Sequence, residues 1–114
     1  MDCIFCKLAN GEIPTDLVYE DEKVAAFRDV NPAAPVHILV VPKKHYVSLE
    51  DIPFDEMSII ADIHSAIRKI SDKEGFAVDG YRIINNCGKD GGQEVPHIHY
   101  HVLAGKKLTK LVTD

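Results

Sequence analysis

At 114 residues, 46% apolar and 27% charged, the chain has the size and composition of one ordinary globular domain, which excludes a disordered or fibrous protein. Its net charge of −5 at pH 7, with Lys and Arg scattered in ones and twos such as Lys43-Lys44 and Lys106-Lys107, excludes the basic stripe of a nucleic-acid-binding surface but leaves a small phosphate ligand open. No run approaches the roughly 20 apolar residues that cross a bilayer, and Met1-Asp2-Cys3 lacks the basic and then apolar pattern of a secretion signal, so a cytoplasmic protein with no membrane partner is expected.

Ile4 to Asn10 reads as a two-turn helix ended by Gly11. Pro14 restarts the chain in an extended form. Leu17-Val18-Tyr19 and Val24-Ala25-Ala26-Phe27 flank the acidic turn Glu20-Asp21-Glu22-Lys23 and predict two antiparallel strands. Asn31-Pro32 and Ala34-Pro35 break the next stretch, and Val36-His37-Ile38-Leu39-Val40-Val41 is a buried strand stopped by Pro42. From about Pro53 to Glu74, Met57, Ile60, Ile63, Ile67 and Ile70 recur at threes and fours, the pattern of a long helix that Gly75 ends. Tyr81-Arg82-Ile83-Ile84 is a fourth strand, residues 88–94 are a glycine-rich loop, and Val95 to Leu103 alternates as a fifth strand. The order predicts an α+β domain over 1–114: a five-stranded, mostly antiparallel sheet with one short and one long helix.

His97-Ile98-His99-Tyr100-His101 is the most informative segment, because three of the six histidines stand at alternate positions of one run. In a strand, side chains two apart leave the same face about 7 Å apart. The three imidazoles then line one face, with Ile98, Tyr100 and Val102 on the other. Such a set suits a hydrolytic metal with an open position, or nucleophilic and acid/base chemistry. The adjacent loop Gly88-Lys89-Asp90-Gly91-Gly92-Gln93-Glu94 has the flexible backbone that points N–H groups at an anion, which favours a phosphate site. Neutral imidazole attacks phosphorus readily and then leaves it readily, so one hard displacement becomes two easier ones.

His97-Ile98-His99-Tyr100-His101-Val102-Leu103 resembles the signature of the histidine triad (HIT) family, in its nucleotide-binding HINT branch. Ile13-Pro14, Phe27-Arg28-Asp29-Val30, Ala34-Pro35-Val36-His37, Val40-Val41-Pro42-Lys43-Lys44-His45 and Asn86 through Gly92-Gln93 resemble the same family's segments in the same order, over nearly the whole chain. The resemblance implies a HIT-like fold and hydrolysis of the P–N bond of adenosine 5′-phosphoramidates through a nucleotidyl-histidine, with no cofactor in the chemistry. Related possibilities are a dinucleoside polyphosphate hydrolase and a non-enzymatic nucleotide-binding module. By position His99 is implied as the nucleophile, His37 as the residue that orients it and tunes its proton, and His101 as the one beside the phosphate and leaving group. Asn86, Gly92, Gln93 and Glu94 would contact the phosphate, Asp29 would accept from the ribose hydroxyls, and Ile4, Phe5, Leu8, Phe27 and Val30 would wall the base pocket.

Glu94 stands where several relatives carry a hydroxyl residue; an ionised carboxylate only accepts hydrogen bonds, so its backbone N–H is the donor left. Residues 106–114 lack the tryptophan and prolines of some relatives, so leaving-group preference does not carry over. Cys3 and Cys6 form a C-x-x-C pair that on spacing alone suits redox, metal or packing roles. Some family members bind a structural zinc with such a pair and two histidines, here His45 and His97 by position, which makes a closed Cys2His2 set. His64 reads as a partly buried packing residue and Cys87 as a small loop residue. The resemblance also implies a dimer, and Gly80 to Ile84 has little of the cover, charge or proline that protects an edge strand, so a homodimer whose two copies form a continuous sheet is expected.

Overall fold

The chain's computed structural model describes residues 3–111. Its frame is a five-stranded sheet of β1 (Leu17–Glu20), β2 (Val24–Arg28), β3 (Val36–Pro42), β4 (Arg82–Ile84) and β5 (Tyr100–Ala104), in the spatial order β1-β2-β3-β5-β4. Every pairing is antiparallel. The β1–β2 turn is closed by Asp21, whose Oδ1 accepts from the backbone N–H groups of Lys23 and Val24 at 2.8 Å each, while Tyr19 donates to its Oδ2. β3 is the central strand. Residues from His37 to Pro42 are all buried, as expected of a strand covered on both faces.

Period-two alternation sorts the sheet residues between two cores. Val24, Ala26, Ile38, Val40, Tyr100 and Val102 face the long helix α2 (Ser58–Glu74), which returns Ile59, Ile63, Ala66, Ile67 and Ile70 to them. Ala25, Phe27, Leu39 and Val41 face the short helix α1 (Ile4–Ala9), which contributes Phe5 and Ala9. The chemistry-bearing side chains lie on the α1 side.

Three element starts differ from the sequence reading, while several ends shift by a single residue. Helix α2 begins at Ser58 rather than near Pro53, because residues 49–51 and 54–56 form two 3-10 turns separated by Pro53 in an extended conformation. Its apolar repeat likewise starts only at Met57. Its end is as expected: Gly75 takes φ 84° and its N–H caps the carbonyl of Ser71, a left-handed position that favours glycine. Strand β5 begins at Tyr100 rather than Val95, since Pro96 has no N–H, the His97 N–H turns back to the Val95 carbonyl, and the Ile98 N–H leaves the ladder for the Tyr46 carbonyl. Strand β4 starts at Arg82, one residue after Tyr81. No helix among the described residues is long and apolar enough to cross a membrane.

Candidate active site and metal centre

The alternation expected of residues 97–103 survives although only its second half is regular strand. Ile98, Tyr100 and Val102 enter the α2-side core, while Phe5 of α1 meets the rings of His97 and His99 edge-on at centroid distances of 6.1 and 5.0 Å. His101 opposes Leu39 across the β3–β5 ladder and His37 opposes Leu103, so the two histidines are diagonal neighbours on the same face.

Hydrogen bonds set which nitrogen of each ring is free. A carbonyl oxygen can only accept, so His99, 2.8 Å from the His97 carbonyl through Nδ1, carries its proton there and keeps a bare lone pair on Nε2. The Ala33 N–H donates to His37 Nδ1 at 3.0 Å, so His37 carries its proton on Nε2 and donates it to His101 Nδ1 at 2.9 Å. His101 therefore presents Nε2–H. Burial, then the neighbouring His99 and His37, push His101 down to about 4, which keeps it neutral at physiological pH. Its ring lies 5.1 Å from that of His99. Asp29 Oδ2 stands 3.4 Å from His37 Nε2, and Asp29 Oδ1 accepts from the Asn31 N–H.

These groups open on a cavity of about 270 Å³ walled by Phe5, Asp29, Leu39, Asn86, Gly92, Glu94, Val95, His99 and His101. Of the implied nucleotide contacts, the structure therefore gathers Phe5, Asp29, Asn86, Gly92, Glu94, His99 and His101. Others stand back. Phe27 supports Phe5 from behind, with centroids 5.5 Å apart, and Leu8 packs in the same cluster. Ile4 is 48% and Val30 90% exposed, and neither lines the cavity. Gln93 turns away to brace the loop, accepting from Gly88 N–H and donating to the carbonyls of Val47 and Val95. Asn86 closes the same loop on the Gly91 carbonyl at 2.7 Å.

Leu39 and Val95 are walls that the sequence reading did not include; their place at alternate core positions beside the histidines was the available signal. Asn85 was also passed over. Its amide donates to the His99 carbonyl at 2.9 Å, which ties β4 to the backbone of the implied nucleophile. His64 is exposed rather than partly buried, with its ring 5.5 Å from Tyr100, and Cys87 is half-buried in the loop.

A second constellation lies on the far side of Phe5. Cys3, Cys6, His45 and His97 converge, with Cys3 Sγ 3.3 Å and Cys6 Sγ 3.4 Å from His97 Nδ1, Cys6 Sγ 3.3 Å from His45 Nδ1, and the two Nδ1 atoms 3.2 Å apart. Tetrahedral coordination at ordinary zinc bond lengths puts nitrogens about 3.3 Å apart and sulfur and nitrogen about 3.6 Å apart, so the set fits such an ion. The fully buried His97 donates Nε2–H to the Pro42 carbonyl at 2.9 Å, which aims the Nδ1 lone pair at the thiols, the usual arrangement for a ligating histidine. Burial holds His97 down to about 4 and, with Cys3, raises the Cys6 thiol to about 11, so metal binding there displaces a proton from sulfur. Asp29, His37 and His101 also converge, but His37 Nδ1 accepts a backbone N–H, which puts the proton on the nitrogen that would have to ligate. The donor chemistry favours the Cys2His2 set.

The HIT domain family model matches residues 10–108. An uncharacterised HIT-like protein of Methanocaldococcus jannaschii is 50% identical over 102 residues, covering 89% of this chain and 77% of that one. The purine nucleoside phosphoramidase of Escherichia coli is 43% identical over 107 residues, covering 94% and 90%. A histidine triad protein from Clostridium difficile superposes with a TM-score of 0.95 at 65% identity, covering 98% and 97%. With its triad, sheet and helices in the same arrangement, the chain belongs to the HIT family.

Proposed function

We propose that the protein is a cytoplasmic hydrolase of purine nucleoside 5′-phosphoramidates, working through a nucleotidyl group carried on His99. The observation that carries the reading is the His99 tautomer. Nδ1–H is tied to the His97 carbonyl, so the basic Nε2 faces the cavity at the start of the reaction without a proton to remove. The likeness to the E. coli purine nucleoside phosphoramidase supports the P–N bond and the purine nucleotide as its targets.

In the first step the Nε2 lone pair forms a bond to the 5′-phosphorus while the P–N bond breaks; its electrons leave with the amine, which takes a proton from solvent. In the second, water adds to phosphorus, the bond to Nε2 breaks, the water proton is released, and a nucleoside 5′-monophosphate departs. His101 donates from Nε2–H to the phosphoryl oxygens, and the His37 hydrogen bond keeps that proton on the correct nitrogen. Asp29 accepts from the ribose hydroxyls, the backbone N–H of Glu94 meets the phosphate beside Gly92, whose own N–H is held by the Lys89 carbonyl, and Phe5, Leu39 and Val95 hold the apolar part of the nucleotide. The chemistry needs no cofactor; Cys3, Cys6, His45 and His97 would hold a structural zinc. Two copies pair through β4, an edge strand, into one continuous sheet.

Incubation with an adenosine 5′-phosphoramidate should release AMP, and neutral quenching during turnover should trap one nucleotidyl group on His99. An adduct on His97 or His101, or no turnover of any phosphoramidate, would overturn the reading.

A further inference from the structure

We propose that a metal held by Cys3, Cys6, His45 and His97 sets the affinity for nucleotide, acting through Phe5 and not through the nucleophile. The inference rests on the nucleotide-binding reading of the cavity above.

Helix α1 has six residues, too few to hold itself in water, and only Phe5 and Ala9 of it are buried. The helix enters the fold through its two thiols. Cys3 is its N-cap, with Sγ accepting from the Cys6 N–H at 3.4 Å, and Cys6 lies one turn on. Between them sits Phe5, whose ring is at once a wall of the cavity and an edge-on neighbour of His99, His97 and Phe27. The other two ligands come from the sheet, His45 after β3 and His97 before β5. One ion bound to all four would therefore staple α1 to the sheet at the point where Phe5 enters the nucleotide cavity.

The reacting histidines are fixed by other bonds. His97 is held by the Pro42 carbonyl and by its own N–H to Val95, Ile98 by the Tyr46 carbonyl at 2.7 Å, His99 by the His97 carbonyl and Asn85, and His101 by His37. None of these hydrogen bonds involves α1, which touches His99 through the Phe5 ring and His97 through that ring and the two thiols. Losing the metal should thus loosen Phe5 and leave the triad geometry in place, which separates binding from chemistry.

The test uses the full chain, loaded with zinc, stripped with a chelator, and stripped then resupplied, with AMP affinity read by calorimetry and labelling of His99 by single-turnover kinetics. His45→Asn, which leaves three ligands, gives a milder second perturbation, and the series is repeated with Phe5→Leu. Stripping should weaken AMP binding about tenfold, the scale of one lost aromatic contact. Zinc should restore it, the labelling rate at saturation should change by less than about twofold, and Phe5→Leu should remove most of the metal's effect on affinity. Four results would each overturn the proposal: failure to retain zinc, unchanged AMP affinity after stripping, an equal loss in the Phe5→Leu background, or collapse of the whole fold on stripping. Failure of zinc-loaded protein to bind AMP at all would instead remove the nucleotide-site reading, and it is seen before any metal is taken away.

Discussion

The ring of His101 makes fold stability depend on pH in a direction and amount that can be worked out. Burial first, then His99 and His37, lower it from 6.5 to about 4, with Asp29 pulling weakly the other way. In the unfolded chain the same ring titrates near 6.5. Between those values the unfolded state holds a proton that the folded state refuses, so stability rises with pH across the window. The contribution is complete above 6.5 and is lost as pH falls towards 4. At 1.36 kcal/mol per pH unit the ceiling is about 3.4 kcal/mol, and solvent reaching this half-buried ring leaves about 2 kcal/mol. For a chain of this size that is a shift in Tm of about 8 °C.

His101→Gln is the matching perturbation, since its amide oxygen can still accept from His37 but takes up no proton. Thermal unfolding of both proteins from pH 7.5 to 4.5, which spans about three quarters of the transition, should show the wild type losing about 6 °C more than the variant. Any acid loss of metal from the Cys2His2 set occurs in both proteins and cancels in the difference. Parallel curves, or a wild type that gains on the variant in acid, would refute a neutral, desolvated His101.

His99→Ala should abolish phosphoramidate turnover by at least about a thousandfold while AMP affinity, measured by calorimetry, moves only a few-fold. At Gly91 a Cβ would fall against the Cys87 carbonyl oxygen and lie 2.9 Å from the Cys87 nitrogen, so Gly91→Ala must open the loop that Asn86 closes. KM should rise about tenfold with little change in Tm, and unchanged kinetics would show that this loop does not touch substrate. Asn85→Ala leaves the His99 carbonyl short of a donor and should cost about 1–2 kcal/mol in urea unfolding together with a fall in kcat; a change in neither would make the contact incidental. Light scattering at micromolar concentration should give twice the chain mass, and a strictly monomeric, active enzyme would remove the β4 pairing.

Much of this was legible in the residues because it depends on periodicity. The threes and fours from Met57 to Ile70 predicted the face of α2, and alternation through 97–103 placed the imidazoles opposite Ile98, Tyr100 and Val102. Boundaries were less legible where a single group overrode the pattern: Pro53 broke an apparently longer helix, and the Tyr46 carbonyl drew Ile98 out of the ladder before β5 could begin. The pocket walls were legible only in part. Val30 resembles a wall by its neighbours Phe27 and Asp29, but β2 ends at Arg28 and leaves it exposed, while Leu39 of the adjacent β3, opposite His101, lines the cavity.

The distribution of roles within the triad came from the family resemblance and lay beyond residue spacing for a more basic reason. His97 and His99 are the same residue type, two apart on one face, and nothing in their spacing distinguishes a ligand from a nucleophile. In the structure they differ by the carbonyl that each meets. The Pro42 oxygen holds Nε2–H of His97 and frees Nδ1 towards Cys3, Cys6 and His45; the His97 oxygen holds Nδ1–H of His99 and frees Nε2 towards the cavity. One residue thus ties the two centres together, through its ring on one side and its main chain on the other. Replacing His97 by Asn keeps the main-chain carbonyl and removes the ring nitrogen ligand. Zinc content should fall while the nucleotidyl adduct still forms on His99, and loss of the adduct in folded His97→Asn protein would show that the ring, not the carbonyl, prepares the nucleophile.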